Sequence, residues 1–456
     1  MRSSSVQPIA VLRENDLRRS SPPADENEGF TKVGEWMHDF IRTLYPLCRS
    51  ITGDGVRRTL ELIDERIALD VHEVPSGTRV FDWTVPKEWN IKDAYIKDSS
   101  GKRVVDFKRN NLHVVSYSVP VRRWISFAEL KEHLFTLPEH PDWIPYRTSY
   151  YRESWGFCLS HRQFMALRDD EEYEVCIDSS LEDGHLTYGE HRLAGESDDE
   201  VLVSCHICHP SLCNDNLSGI AVAVALAERL RLLKRRYSYR FIFIPGTIGA
   251  IAWLAQNVER VHRIKHGLVL TCVGDGGPIT YKRSRRGNAE IDRAFAHVLA
   301  HAQASSNIVD FTPYGYDERQ YCSPGFNLPV GCLMRTPHGR FAEYHTSADD
   351  LDFVLPEALA DTLTTCLFAF DVIENNRVYV NLNPKCEPQL GRRGLYRAVG
   401  GQSERAMEEL AILWVLNLAD GTHTLLDMAE RSGLPFAVLK RAAKLLTEHE
   451  LLGPLY

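Results

Sequence analysis

The residue types that could do chemistry crowd one stretch, VLVSCHICHPSLCNDNLSGIAVAVALAERL, from Val201 to Leu230. It holds His206, Cys208, His209, Cys213, Asp215 and Asn216. Imidazole nitrogen, carboxylate oxygen and thiolate are the donors a zinc ion takes, and a catalytic zinc keeps one position open for water. His206 and Asp215 stand on one short loop, so both can reach a single ion without distant chain being ordered first. A third donor must come from elsewhere, and His345, in Phe341–Ala342–Glu343–Tyr344–His345–Thr346–Ser347–Ala348–Asp349–Asp350, is the best candidate. Asp349 or Asp350 is expected to hold the other ring nitrogen of His345, a common way of orienting such a ligand. The set Cys205, His206, Cys208, His209 and Cys213 could instead form a structural metal knot. Its place at a strand end, and the lack of a second cysteine pair at zinc-finger spacing, argue against that.

The elements that must position these residues follow from periodicity. Val201–Val203 is an apolar, β-branched run that predicts a buried strand, and Ile220–Leu226 predicts a buried helix. The donors therefore sit at a strand-to-helix junction, where open α/β sheets bind ligands. Arg240–Ile244, Leu268–Val273 and Val330–Met334 predict further strands, and Glu290–Ala302 a helix. Strands alternating with helices imply a mostly parallel sheet with helices on both faces. The expected layout is a polar, disordered tail over 1–28, an α/β domain over 29–71 and 188–375, an inserted mostly-β domain over 72–187, and a winged helix-turn-helix over 376–456. The insertion carries a hairpin signal at Asp183–Gly184 and an aromatic stretch from Trp143 to Phe157 that could wall a substrate. The terminal unit shows helices at Met407–Leu418, from Thr422 to Ser432, and from Pro435, with Gly433 in the turn.

The 456 residues are 44% hydrophobic and 25% charged, as in ordinary globular proteins. A net charge of −9 argues against nucleic acid as the main partner, and Lys440, Arg441 and Lys444 on the last helix read as a solvated face. No run approaches the ~20 apolar residues needed to cross a bilayer, and residues 1–28 have no apolar signal core. A cytoplasmic protein without membrane contact is expected. Eleven scattered cysteines predict free thiols rather than a disulfide framework.

Residues 201–230 resemble the core of the co-catalytic zinc exopeptidases, the clan of bacterial leucyl aminopeptidases, glutamate carboxypeptidase and glutaminyl cyclase. Asp215–Asn216–Leu217–Ser218–Gly219 matches the clan's Asp-Asn-x-Ser-Gly turn, which delivers a bridging Asp. Tyr344–His345–Thr346 with Asp349 resembles its closing His ligand, and Asp317 falls where the clan has Ser-Asp-His. The similarity spans roughly residues 30–70 and 190–375. The layout as a whole resembles a bacterial group of aminopeptidase-like proteins linked to polysaccharide or natural-product biosynthesis. The chain departs from the clan at Gly246 and Thr247, where it carries Glu-Glu, and at Thr271, where it carries an Asp ligand. What the resemblance then implies is one zinc per chain, held by His206 or His209, Asp215 and His345.

The expected activity is that of a zinc-dependent aminopeptidase or related amidohydrolase, cleaving a peptide or small-molecule amide. A carboxylate must move protons there, and Glu343, Asp317 and Glu318 are the candidates. Tyr344 is a candidate for substrate contact. Arg319 and Arg335 could bind a substrate carboxylate bidentately, and each equally suits an ordinary ion pair. The alternative is a catalytically silent exopeptidase fold serving as a binding or assembly module. A DNA-associated regulator using the terminal helices is the third reading, set against by the acidic charge. The winged helix is expected to serve subunit or partner contact, and the chain to form a homo-oligomer.

Overall fold

The computed structural model describes residues 24–395 and 403–455. They form two compact units, residues 24–287 with 307–363, and residues 288–306 with 364–395 and 403–455. The tail expected over 1–28 lies outside the described residues as far as residue 23, and helix α1 spans Ala24–Leu44.

The first unit is built on an eight-stranded sheet. Its strands are β1 (Asp70–Pro75), β2 (His185–Leu193), β3 (Glu200–His206), β4 (Ser238–Ile244), β5 (Ile264–Leu270), β6 (Ile279–Lys282), β7 (Ser306–Val309) and β8 (Val330–Met334), in the order β1-β2-β4-β3-β5-β8-β6-β7. The middle strands β4, β3, β5 and β8 run parallel. β1, β2 and β6 pair antiparallel, so the parallel sheet is confined to the centre. All residues of β3 and β8 are buried, the pattern of strands covered on both faces. Helix α2 (Gly219–Arg231) follows the donor loop and is apolar nearly all round because it is buried nearly all round. Helix α3 (Ile248–Asn257) follows β4, and the single-turn α4 spans Glu318–Tyr321.

Between β1 and β2 the chain forms a second, antiparallel sheet in the order Arg103–Asp106, Glu88–Lys97, Glu172–Glu182, Val121–Ser126. The expected hairpin at Asp183–Gly184 is not one. Glu182 pairs with Glu88 in this smaller sheet, whereas His185 pairs with Pro75 in the large one. The turn hands the chain from one sheet to the other, and Gly184 leaves room there for the Glu88 side chain, which accepts the His185 N–H at 2.9 Å.

The second unit contains the helix Glu290–Ala300 and a winged helix. The latter has strands β9 (Val378–Asn381), β10 (Asp420–Thr424) and β11 (Leu452–Leu455), with β9 central, and helices α5 (Ser403–Leu418), α6 (Leu425–Ser432) and α7 (Phe436–Glu448). Thr422–Thr424, expected in a helix, is strand. Thr424 caps α6 in a capping box with Asp427, and Gly433 ends that helix at φ 69°. On α7, Lys440 is spent on Asp371 at 2.7 Å, while Lys444 is exposed. Among the described residues no helix is long and apolar enough to cross a membrane.

Candidate metal centre

β3 delivers His206 at its last position, and the loop after it returns as a wide helical turn, Cys213–Ser218, before α2 begins. Side chains of that turn anchor it to the end of β5. Asn214 accepts the Gly274 N–H at 2.8 Å, Ser218 accepts the Val273 N–H at 3.0 Å, and Asn216 donates to the Leu270 carbonyl at 3.0 Å. Gly219 is required, because a Cβ there would meet the Asn216 carboxamide at 2.4 Å and the Leu270 carbonyl at 2.7 Å. Asp349 completes the anchoring, its carboxylate accepting the N–H groups of Asn214 at 2.5 Å and Asp215 at 3.0 Å. Asp349 is thus occupied by the backbone rather than by His345, and Asp350 accepts the N–H of Asp352 and Phe353. From the segment after α1, the fully buried Arg49 donates Nε to the His209 carbonyl at 2.9 Å and a second nitrogen to the Leu44 carbonyl at 2.7 Å.

The result is a convergence on one carboxylate. Oδ1 of Asp215 lies 2.9 Å from His206 Nε2, and Oδ2 lies 3.1 Å from His345 Nε2 and 3.9 Å from His209 Nε2. Donor atoms of His206, His209 and Asp215 all fall within 4.8 Å of one another. The side chains of His206, Asp215 and His209 are 0%, 1% and 5% exposed and that of His345 is 34% exposed, so the cluster opens on the His345 side. Burial opposes charge on Asp215, yet the imidazoles of His209, His206 and His345 hold its carboxyl well below the usual range. Burial also pushes His209 down to about 3, which leaves a neutral ring with a free lone pair. Imidazole nitrogens grouped round an ionised, buried carboxylate are a donor set that suits zinc.

Aromatic rings wall the cluster. Tyr146 meets His209 and His345 edge-on, with centroids 5.3 and 5.1 Å apart, and Tyr344 stacks on His345 at 4.0 Å. Tyr316 lies against His206 at 4.0 Å. Tyr146 and its hydroxyl partner Tyr150 come from the aromatic stretch of the insertion. His345 sits at φ 57°, a left-handed conformation costly for a residue with a Cβ. It is held by its carbonyl accepting the Tyr146 N–H at 2.8 Å.

Other sequence-derived candidates lie differently. Asp317 has no exposed surface, and neither of its oxygens has a hydrogen-bond partner. Glu318 is fully buried, bound to Lys282 Nζ at 2.8 Å and to the Tyr316 N–H at 2.9 Å. Glu343 is half-buried, with its carbonyl on Thr346 and no bond from its carboxylate to the cluster. Arg319 is exposed on α4. Arg335 is committed to the Gly277 carbonyl at 2.7 Å and to Asp361 at 2.9 Å. The thiols of Cys205, Cys208 and Cys213 stay outside the donor group, and burial raises all three, that of Cys208 to about 12. Sequence reasoning missed Arg49, Tyr316 and His338 as parts of this surrounding. A lone arginine after a helix gives no signal, and His338 stands only as an isolated histidine between a proline and a glycine.

Sheet, donor loop and terminal helices together define an α/β protein of aminopeptidase-like fold that ends in a winged helix. The chain belongs to the family described as a domain of unknown function, DUF4910, which matches residues 38–376, while residues 377–454 match a winged helix-turn-helix family. A Clostridium acetobutylicum protein, described as a candidate polysaccharide biosynthesis protein with an aminopeptidase-like domain, is 54% identical over 422 residues, 92% of this chain and 97% of its own. The crystal structure of a candidate peptidase from the same organism is similar at 52% identity and a TM-score of 0.90, covering 94% of this chain and 99% of that one. A zinc aminopeptidase from Bacillus subtilis shares the fold, with a TM-score of 0.55 at 12% identity over 75% of this chain and 94% of its own.

Proposed function

We propose that this chain is a metal-dependent hydrolase of a peptide or amide bond, with one zinc held by Asp215, His345 and one of His206 and His209, and the fourth position left to water. The observation that carries it is the convergence of three imidazole Nε2 atoms on the two oxygens of Asp215, at 2.9, 3.1 and 3.9 Å. A zinc bound there would lower the pKa of water and polarise the scissile carbonyl. The chain's own part is to keep the donors apart from bulk water through Tyr146, Tyr316 and Tyr344, and to leave the His345 side open for the substrate. The description of the Clostridium relative directs the substrate toward an amide of a sugar-linked or other biosynthetic intermediate. All the cysteines described are free, in keeping with a reducing, cytoplasmic setting.

The test is metal analysis of the purified chain followed by hydrolysis of an aminoacyl and acyl-amide panel, with and without chelator. Chelator-sensitive hydrolysis with one zinc per chain is the expected result. Metal binding without hydrolysis of any member would favour the second reading, a silent binding module. That reading draws its support from the carboxylates Asp317, Glu318 and Glu343, none of which bonds to the cluster.

A further inference from the structure

Amide hydrolysis needs a group that takes a proton from the attacking water and returns it to the leaving nitrogen. Of the carboxylates around the cluster, Glu343 is half-buried and makes no bond to it, and the others are engaged or sealed off. Asp317 is wholly buried, Glu318 is bound by Lys282, and Asp349 holds backbone N–H groups. A side chain at position 246 would have to displace Tyr316. A Cβ there would lie 2.1 Å from Cε1 of Tyr316, whose ring fills that space and whose hydroxyl faces the Gly246 carbonyl and the Cys208 thiol.

A histidine also stands on this wall. His338 follows β8, beside the end of β5, and its Nε2 lies 3.0 Å from Thr271 Oγ1. Its ring packs 6.2 Å from Tyr316 and 6.1 Å from Tyr344, the two rings that cover His206 and His345. The Thr271 hydroxyl donates to Cys272 Sγ at 3.6 Å, so its oxygen accepts from Nε2–H of His338. That hydrogen bond sets the tautomer and leaves Nδ1 with a lone pair.

We propose that His338 carries the proton in the hydrolysis of the amide, an inference that rests on the hydrolase reading above. Nδ1 takes a proton as the water oxygen forms its bond to the carbonyl carbon. The same proton passes to the nitrogen as the C–N bond breaks, so carboxylic acid and amine leave and His338 is neutral again. Burial acts most strongly on the ring and lowers its pKa, with His206 and Lys282 acting the same way, while Asp215 and Glu318 oppose them. The ring is therefore neutral at neutral pH, the form that can accept a proton.

The experiment uses the full-length, zinc-loaded chain and its His338→Gln variant, whose amide can still donate to Thr271. The expected variant keeps the wild-type metal content and melting temperature. Its kcat falls about 10²-fold or more with KM little changed, and it loses the acid limb of the kcat pH profile. A second readout is free of turnover: nitrogen-15 histidine spectra, assigned by the signal missing in His338→Gln, are expected to show an unprotonated Nδ1 at neutral pH. A hydrolysing wild type with an equally active variant overturns the role of His338 and leaves the hydrolase reading standing, as does a protonated Nδ1 at neutral pH. A zinc-loaded wild type that hydrolyses nothing overturns both.

Discussion

The ring of Tyr316 occupies the place where a side chain at Gly246 would begin, with Cε1 only 2.1 Å from an idealised Cβ. Tyr316 also covers His206 at 4.0 Å, so the two positions are coupled through the wall of the cluster. Gly246→Glu is therefore expected to destabilise the chain by about 1–3 kcal/mol through overpacking and to leave turnover no higher. Adding Tyr316→Ala should relieve part of that cost, because contacting residues are not additive. Chemical denaturation of the two single variants and the double variant measures it. A Gly246→Glu chain as stable as wild type would sink the idea.

The metal itself gives a prediction that needs no substrate. A ligand bound only by the folded chain stabilises it by about 2.7 kcal/mol when present at 100 times its dissociation constant. Zinc is expected to raise the melting temperature of wild type and to leave that of Asp215→Ala unmoved, since the oxygens nearest His206 and His345 are gone. His209→Ala should weaken the shift without abolishing it, because its Nε2 stands furthest from Asp215, at 3.9 Å. Calorimetry with and without chelator reads these shifts directly.

How much of this centre could be read from sequence depended on how local each part was. His206, Asp215 and Gly219 fall within one loop, and each does a job set by its neighbours, so spacing and turn chemistry pointed to them. His345 was legible through its own short segment. Tyr316 and His338 were not, because what gives each a role is a ring or hydroxyl that the fold brings from another segment. The same distinction explains the failed hairpin. Asp183–Gly184 does make a turn, but the partners of the strands on either side, Glu88 and Pro75, are far away in the chain. The order of strands in the parallel centre was legible only as alternation, not as β4-β3-β5-β8.

Asp317 should give the chain a pH-dependent stability of unusual sign. Burial, reinforced by the Glu318 carboxylate, pushes its pKa up to about 8, against ~3.9 for an unfolded aspartate. Between those values the folded chain keeps a proton that the unfolded chain has lost. Its contribution is therefore complete below about pH 4 and is lost as pH rises through about 8. Asp317→Asn removes the ionisation and is expected to flatten the fall in melting temperature across that range. Identical slopes for the metal-free wild type and variant would show that Asp317 ionises as an ordinary carboxyl.

Arg49 ties the metal centre to the segment after α1. It is wholly buried, and burial pushes its pKa down to about 10. Two of its nitrogens serve the His209 and Leu44 carbonyls, and Nη2 has no hydrogen-bond partner. Arg49→Met keeps much of the stem but removes both donors, leaving the buried His209 carbonyl without its donor at a cost of about 1–3 kcal/mol, while the Leu44 carbonyl keeps the Leu47 N–H at 3.1 Å. Removing a buried, unpartnered charge offsets part of that, so the net loss of stability should be modest. The effect on the metal should be larger, because the His209 carbonyl loses the donor that fixes its loop. The expected outcome is a zinc dissociation constant raised about 10-fold or more, the scale seen when a partner that orients a ligand is lost. Competition with a chromophoric chelator measures it, and unchanged affinity would reduce Arg49 to a purely structural residue.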